Sequence, residues 1–307
     1  MSSAGKRISI VGFGLMGSQI AQIFATIGYT VSAYDVSNEK LDSGLSLIRS
    51  GKYGLENSVA KGRMSAEQAS KVLDNIETTA SLNYALADAE VVLEAAVEDL
   101  ETKRKILKSA SESAPKDAIL ATNTSTLSIS KISGGLSQDV RRRVAGMHFF
   151  NPPQVMKLVE IVASDVTSRE VTDKLRQIAL DLKKVPIVVK DHPGFVANRI
   201  GIAVFAEASD LLAKGVSTVR DIDLAMRLGY GYPLGPFELG DLVGLDSRLR
   251  NMETLYGETH DEKFKPPELL ARLVASGYLG DPRTKEGSKG GYYEYFGEKR
   301  PTEETVA

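Results

Sequence analysis

The segment Gly12-Phe13-Gly14-Leu15-Met16-Gly17 constrains this chain more than any other. It directly follows the short apolar run Ile8-Ser9-Ile10-Val11 and opens a helical pattern that reaches Ile27. Three glycines at this spacing between a strand and a helix give a tight turn, an unobstructed backbone and close helix–strand packing. The free N–H groups and positive dipole end of such a helix attract a phosphate. Asp35 closes the next strand-like run, Thr30-Val31-Ser32-Ala33-Tyr34. A carboxylate there accepts hydrogen bonds from a ribose 2′-hydroxyl and repels a 2′-phosphate. The pattern therefore predicts a dinucleotide site built from Gly12, Gly14, Leu15, Met16, Gly17 and Asp35, with NAD rather than NADP as cofactor.

The alternation of strand and helix patterns continues. Apolar runs follow at 91–93, 119–121, 144–147, 159–161 and 187–189, with amphipathic stretches between them, notably 100–113 and 169–182. Strands separated by helices build βαβ units and a mostly parallel sheet. The runs are continuous rather than alternating, as in strands covered on both faces. After Lys190 the texture changes. The turn signal Asp191-His192-Pro193-Gly194 leads into helical patterns at 196–214, 219–228, 236–255 and 267–276, with no strand run before Tyr292-Tyr293. The expected fold class is α/β: a Rossmann-type dinucleotide-binding domain on a mostly parallel sheet over 1–190, then an all-α domain over 191–307. Two helix patterns, 38–50 and 65–73, stand where one would suffice, so an inserted helical hairpin is expected near 38–73.

Composition narrows the functions. Lys and Arg number 38 against 40 Asp and Glu, a net charge of −2 that argues against a polyanion such as nucleic acid as partner. The chain has no cysteine, which excludes disulfides, thiolate metal sites and a cysteine nucleophile. Its three histidines, His148, His192 and His260, offer little to a histidine-rich metal site, and no metal is expected. No apolar run approaches the roughly 18 residues of a membrane helix. No secretory pattern precedes the first strand. The expectation is a cytoplasmic protein with neither nucleic acid nor membrane as partner.

The candidate chemistry lies at carboxyl ends of strands, where open α/β sheets bind ligands. His148 ends the run Val144–Met147 and heads His148-Phe149-Phe150-Asn151-Pro152. Among apolar neighbours a lone histidine is ordinarily core. Here a cofactor site is expected in the same domain, and Glu160 lies on the following strand. A carboxylate bonded to one imidazole nitrogen fixes the tautomer and leaves the other nitrogen to act as base. Ser125, in Asn123-Thr124-Ser125, follows the strand at 119–121 and also reads as an ordinary helix cap. Asn198, early in the first helix of the second domain, is placed to donate to a substrate oxygen, or else is a plain capping residue.

Taken in order, the motifs resemble the L-3-hydroxyacyl-CoA dehydrogenase family (the 3-hydroxybutyryl-CoA dehydrogenase group) over nearly the whole chain. They are Val11–Gly17, Glu94-Ala95-Ala96-Val97-Glu98, Asn123-Thr124-Ser125, His148–Pro152, Met156-Lys157-Leu158-Val159-Glu160, Pro193-Gly194-Phe195-Val196-Ala197-Asn198-Arg199 and Gly235-Pro236-Phe237-Glu238-Leu239. The resemblance implies NAD-dependent, reversible oxidation of a short-chain L-3-hydroxyacyl-CoA, such as 3-hydroxybutyryl-CoA, to the 3-ketoacyl-CoA. It also implies an acyl-CoA as substrate and a homodimer through the helical domain. Carried over by position, His148 matches the family's general base and Glu160 the partner that orients it. Ser125 and Asn198 resemble the groups that hold the substrate oxygen. Asp35 matches the ribose carboxylate, and Glu98, Lys103, Asn123 and Asn151 fall where the family lines the cofactor cleft. Lys103-Arg104-Lys105 also reads as a solvated helix face, as does Arg141-Arg142-Arg143.

Two segments depart from the family pattern. In the inserted hairpin Lys61 fits a lysine offered to CoA, but Gly54 aligns with the family's serine. Near the C-terminus a cofactor-proximal lysine is displaced to Lys285 or Lys289, or is absent. Two other functions fit the same scaffold: an NAD-dependent dehydrogenase of a small hydroxy acid without CoA, such as a sugar acid or a carnitine-like compound, and a non-catalytic NAD-binding protein. The β-hydroxyacid dehydrogenases that resemble 6-phosphogluconate dehydrogenase share the two-domain plan. They rely on a lysine early in the helical domain, where this chain has Asn198 and Arg199.

Overall fold

The computed structural model describes residues 5–302. The chain forms two compact units, 1–195 and 196–307. The first contains β1 (Arg7–Val11), α1 (Leu15–Thr26), β2 (Thr30–Tyr34), α2 (Asn38–Ser50), α3 (Leu55–Ala60), α4 (Ala66–Asp74), β3 (Ile76–Thr79), α5 (Leu82–Leu86) and β4 (Val91–Glu94). It continues with α6 (Leu100–Ser113), β5 (Ile119–Thr122), α7 (Ile129–Ile132), α8 (Gln138–Arg141), β6 (Val144–Phe149), β7 (Leu158–Ala163), α9 (Arg169–Asp181) and β8 (Val185–Lys190). The eight strands form one sheet in the order β3-β2-β1-β4-β5-β6-β7-β8. Every pair is parallel except β6–β7.

Both faces of the sheet are buried, and successive residues of one strand serve opposite faces. Val91, Leu93, Ile119 and Ala121 join one core with Ile20 and Phe24 of α1 and Leu175 of α9. Val92 and Leu120 join the other with Leu107 of α6 and Ile132 of α7. Continuous apolar runs are the sequence signature of this double burial. The strand β3 escapes that signature: Ile76-Glu77-Thr78-Thr79 is an edge strand, bonded only to β2, with no fully buried residue. Between β2 and β3 stand three helices rather than the expected two. Gly54 starts the extra one, α3, and Leu55 anchors it in the core.

The first unit ends after Phe195, not after Lys190. Phe195 is buried in the sheet's second core. The Asp191 carboxylate accepts the Ser128 hydroxyl at 2.8 Å and the Ile129 and Ser130 N–H groups at 2.9 and 2.8 Å. These bonds cap α7 and keep residues 191–195 with the sheet.

The second unit is helical: α10 (Ala197–Ala213), α11 (Val219–Tyr230), α12 (Pro236–Val243), α13 (Leu245–Thr259), a 3-10 turn at Glu262–Phe264, α14 (Glu268–Ala275) and α15 (Tyr292–Phe296). Its core gathers Phe205, Phe237, Met252, Leu255, Phe264, Leu273, Tyr292 and Tyr293. The pattern over 236–255 is two helices, because Gly244 sits at φ 103°, outside the helical region. Tyr292-Tyr293 is not a strand. It opens α15, where Asp241 accepts the Tyr292 N–H at 2.8 Å. Among the described residues no helix is long and apolar enough to cross a membrane.

Candidate active site

The glycine turn is built as its spacing requires. Gly12 has φ +98°, and a Cβ on it would meet the Ala96 backbone nitrogen at 2.7 Å. A Cβ on Gly17 would lie 1.8 Å from the Gly12 carbonyl oxygen. Both positions are therefore glycine for reasons internal to the fold. Gly14 is different: a Cβ there would meet nothing within 4 Å. Gly14 and Leu15 are exposed at the N-terminus of α1, whose first turn has no acidic residue and no side-chain cap. An uncapped positive helix end facing open space is a cradle for a phosphate. Asp35 lies beside it, accepting the Phe13 N–H at 2.8 Å on one oxygen and the Val36 N–H at 2.7 Å on the other. A carboxylate has about four lone-pair sites, so both oxygens retain capacity for ribose hydroxyls.

At the same carboxyl edge, His148 and Glu160 face each other directly across the antiparallel pair β6–β7. His148 Nδ1 lies 2.9 Å from Glu160 Oε2, with the histidine 4% exposed and the glutamate fully buried. With Glu160 ionised its carboxylate only accepts, which puts the imidazole proton on Nδ1 and leaves Nε2 as the acceptor. The rings of Phe150 and Phe195 pack beside the imidazole, at 4.5 and 5.8 Å between centroids. Antiparallel register is what joins the two residues: directly opposed side chains share a face and sit about 5 Å apart at Cβ.

Ser125 lies on a turn after β5 that is bound to one carboxylate. Glu98 Oε1 accepts the Thr124 hydroxyl at 2.7 Å, the Ser125 N–H at 2.9 Å, the Ser125 hydroxyl at 3.2 Å and the Thr126 N–H at 3.2 Å. Burial alone would raise the Glu98 pKa, but the Lys103 ammonium and these hydrogen bonds outweigh it and hold the carboxyl below the usual range. Lys103 is not on a solvated helix face. It is 1% exposed, with Nζ at 2.8 and 3.0 Å from the two oxygens of Glu94 and 3.4 Å from Glu98 Oε2. A lone buried ammonium would cost several kcal/mol, so the pairing is obligatory. Asn123 ties neighbouring strand ends together: its side-chain oxygen accepts the Phe149 N–H at 2.8 Å.

The remaining expected residues are placed as follows. Asn151 is exposed on the β6–β7 connection. Asn198 is the second residue of α10 in the second unit. Lys61 is exposed at the end of α3. Gly54 cannot stand in for a serine, because a Cβ there would lie 2.8 Å from the Arg49 carbonyl oxygen. Lys285 is paired with Asp246 at 2.8 Å, and Lys289 donates to the Ser276 carbonyl at 2.9 Å. Arg143 is not solvated either: it is buried, donating to the carbonyls of Ala118 at 2.7 Å and Pro115 at 3.2 Å. Among the described residues no group of three or more His, Asp or Glu is arranged to hold a metal ion.

Two family descriptions match this chain in succession: "3-hydroxyacyl-CoA dehydrogenase, NAD binding domain" over residues 7–192 and "3-hydroxyacyl-CoA dehydrogenase, C-terminal domain" over 194–295. The chain belongs to the 3-hydroxyacyl-CoA dehydrogenase family. It is 38% identical to a 3-hydroxybutyryl-CoA dehydrogenase of Clostridioides difficile over 94% of this chain and 99% of that one. The crystal structure of (S)-3-hydroxybutyryl-CoA dehydrogenase from Ralstonia eutropha superposes with a TM-score of 0.84 at 36% identity, covering 92% of this chain and 98% of that one. An Escherichia coli 3-hydroxybutyryl-CoA dehydrogenase superposes with a TM-score of 0.87 at 34% identity. The match covers 97% of this chain but spans only 61% of the longer E. coli chain.

The first unit is thus the family's NAD-binding domain, and the residues present fit that cofactor. The bare Gly14 backbone and uncapped α1 suit a pyrophosphate, and Asp35 suits a ribose diol. Three groups make contacts that the sequence reading does not anticipate, among them Lys103, which the resemblance places at the cofactor cleft. Glu94 is a charged residue in a fully buried strand, and Lys103 falls on the buried stripe of α6 with Leu107 and Ala110. That coincidence was a readable signal for an internal ion pair. The third is Gln154, which donates to Gln22 of α1 at 2.9 Å, while Gln22 donates to the Tyr53 carbonyl at 3.0 Å. This chain of bonds joins the β6–β7 connection, the dinucleotide helix and the inserted helices.

Proposed function

We propose that this protein catalyses the reversible, NAD-dependent oxidation of a short-chain L-3-hydroxyacyl-CoA to the 3-ketoacyl-CoA. The observation that carries this reading is the buried His148–Glu160 pair at the sheet edge that also presents the glycine turn. NAD, when bound, supplies the hydride acceptor. His148 Nε2 takes the hydroxyl proton as the carbon–oxygen bond becomes a carbonyl, and the imidazolium returns it in reduction. Glu160 keeps the proton on Nδ1 and stabilises the imidazolium. Imidazole suits both directions because its ordinary pKa of about 6.5 lies near neutrality. Ser125 and Asn198 hold the substrate oxygen in this reading, Glu98, Lys103, Asn123 and Asn151 shape the cofactor side, and Lys61 meets the CoA. A homodimer through the helical unit and a cytoplasmic setting complete it. Exposed Ile200, Leu228, Tyr230, Leu242 and Val243 support the former.

The test is a comparison of substrates with NAD: 3-hydroxybutyryl-CoA against free 3-hydroxybutyrate, sugar acids and carnitine. The reading expects oxidation of the CoA ester, with acetoacetyl-CoA as product. Oxidation of a free hydroxy acid alone would replace it with the second reading, a dehydrogenase that needs no CoA. That alternative is favoured by one observation: Gly54 leaves no room for the side chain that the hairpin offers elsewhere in the family.

A further inference from the structure

We propose that Glu94 is a positioning residue for the reaction, acting through Lys103 and Glu98 on the Ser125 turn. The inference rests on the reading above for what Ser125 does, and on geometry alone for how Ser125 is held.

Glu94 closes β4 and is fully buried. Its carboxylate collects three donors from three segments: the Ala96 N–H at 2.7 Å, the Thr122 hydroxyl at the end of β5, and Lys103 Nζ from α6, which spans both oxygens. Lys103 therefore has a first partner, Glu94, and a more distant one, Glu98, at 3.4 Å. The division matters because Glu98 has two duties. One oxygen faces the ammonium, and the other accepts the Thr124, Ser125 and Thr126 donors. With Glu94 ionised, the single lysine charge is shared between two carboxylates, and Glu98 keeps a strong acceptor for the turn. Charge-assisted hydrogen bonds are about twice as strong as neutral ones, so the sharing sets how firmly the turn is held. Without the Glu94 charge, the ammonium closes on Glu98. That draws the carboxylate away from the turn and weakens its hold on the Ser125 hydroxyl and the two backbone N–H groups.

The variant to make is Glu94→Gln. Glutamine keeps the volume and an acceptor for Ala96 N–H while removing the charge. The expected result is a drop of about 10-fold in kcat for acetoacetyl-CoA reduction, with NADH affinity within about 3-fold of wild type. A residue that acts through Ser125 also shows non-additivity: in a Ser125→Ala background, Glu94→Gln should lower kcat by less than about 2-fold. Equal losses in both backgrounds would overturn the proposal. Amide exchange at Ser125 and Thr126 tests the relay without any substrate. It should quicken about 10-fold in Glu94→Gln, and unchanged exchange there would overturn the proposal even if the protein acts on a different substrate. If Glu94→Gln does not fold, Glu94→Asp keeps the charge but draws the carboxylate back from the ammonium by one methylene, loosening its hold on Lys103. It should give the same pattern at about 3-fold, and additive losses with Ser125→Ala would again contradict the relay. Failure of the wild type to act on a CoA ester bears on the proposed function alone.

Discussion

Buried charge serves opposite ends in the two units. In the first, the buried Glu94 and Glu160 lie at the carboxyl edge of the sheet with the more exposed Glu98, faced by the Lys103 ammonium or the His148 imidazole. In the second, Asp223 and Asp241 are fully buried too, but they face helix ends. Asp223 accepts the Phe237 and Glu238 N–H groups, each at 2.8 Å, and the Tyr293 hydroxyl at 2.7 Å. Asp241 accepts the Tyr292 N–H and Arg300 Nη2 at 3.0 Å. The contrast shows in protonation. Lys103 and the turn's donors hold Glu98 below the usual range against the effect of burial. Burial dominates at Asp223 and Asp241 and pushes each up to about 6, against the hydrogen bonds and, at Asp241, Arg300. Burial alone thus does not mark a site. In the first unit the acids meet an ammonium or an imidazole beside open backbone, whereas in the second they meet helix N–H groups, with Arg300 also on Asp241.

The largest expected break in that contrast is His148→Gln. Turnover should fall by roughly 100-fold or more, the scale of lost acid–base catalysis, while NADH titration stays near wild type. Near-normal turnover would remove His148 from the chemistry. Glu160→Gln comes next. It leaves the imidazole in place but loses the charge that fixes the tautomer, so kcat should fall by about 10- to 100-fold with NADH binding intact. Gly14→Val should weaken NADH binding about 10-fold, read by fluorescence titration, because its side chain fills the cradle. Its Tm should stay within about 3 °C of wild type, since the position faces open space and only a helix cap is perturbed.

The smallest effect lies in the second unit and depends on pH. Asp241 has a folded pKa of about 6, above its unfolded value near 3.8. The folded state therefore binds more protons between these limits, and this contribution to stability is complete below about pH 4 and lost as pH rises through 6. Asp241→Asn cannot titrate. The stability difference should shift toward wild type by on the order of 2 kcal/mol as pH falls from 7 to 4, measured as urea midpoints. Glu98 has the opposite sign: its contribution is present above about pH 4.5 and lost as pH falls through its lowered value. A pH-independent difference for Asp241→Asn would show that the helix-end acids are not held as described.

The fold was legible wherever residues had to satisfy two faces or a turn. The glycine segment, Asp35 and the apolar runs sufficed for the dinucleotide-binding unit, because a parallel sheet buries both faces of each strand. β3 was not legible, since an edge strand such as Ile76–Thr79 needs no apolar run. The break at Gly244 was hidden in a continuous amphipathic pattern, and only the positive φ of one residue ends α12. For the site, the types of His148 and Glu160 were readable, but their contact depends on the one antiparallel pairing in the sheet, which no local pattern announces. Lys103, placed at the cofactor cleft by the resemblance, also reads as part of a charged helix face because its neighbours Arg104 and Lys105 are charged. Its burial follows from the Leu107 and Ala110 stripe and from an acid, Glu94, on another element.

The most direct test of the whole account is loss of NADH on adding acetoacetyl-CoA to the wild-type protein, with NADPH and free acetoacetate in parallel. The account predicts saturable turnover of the CoA ester with NADH, much slower reaction with NADPH because Asp35 repels a 2′-phosphate, and none with the free acid. Saturable NADH binding without turnover of the ester would contradict it.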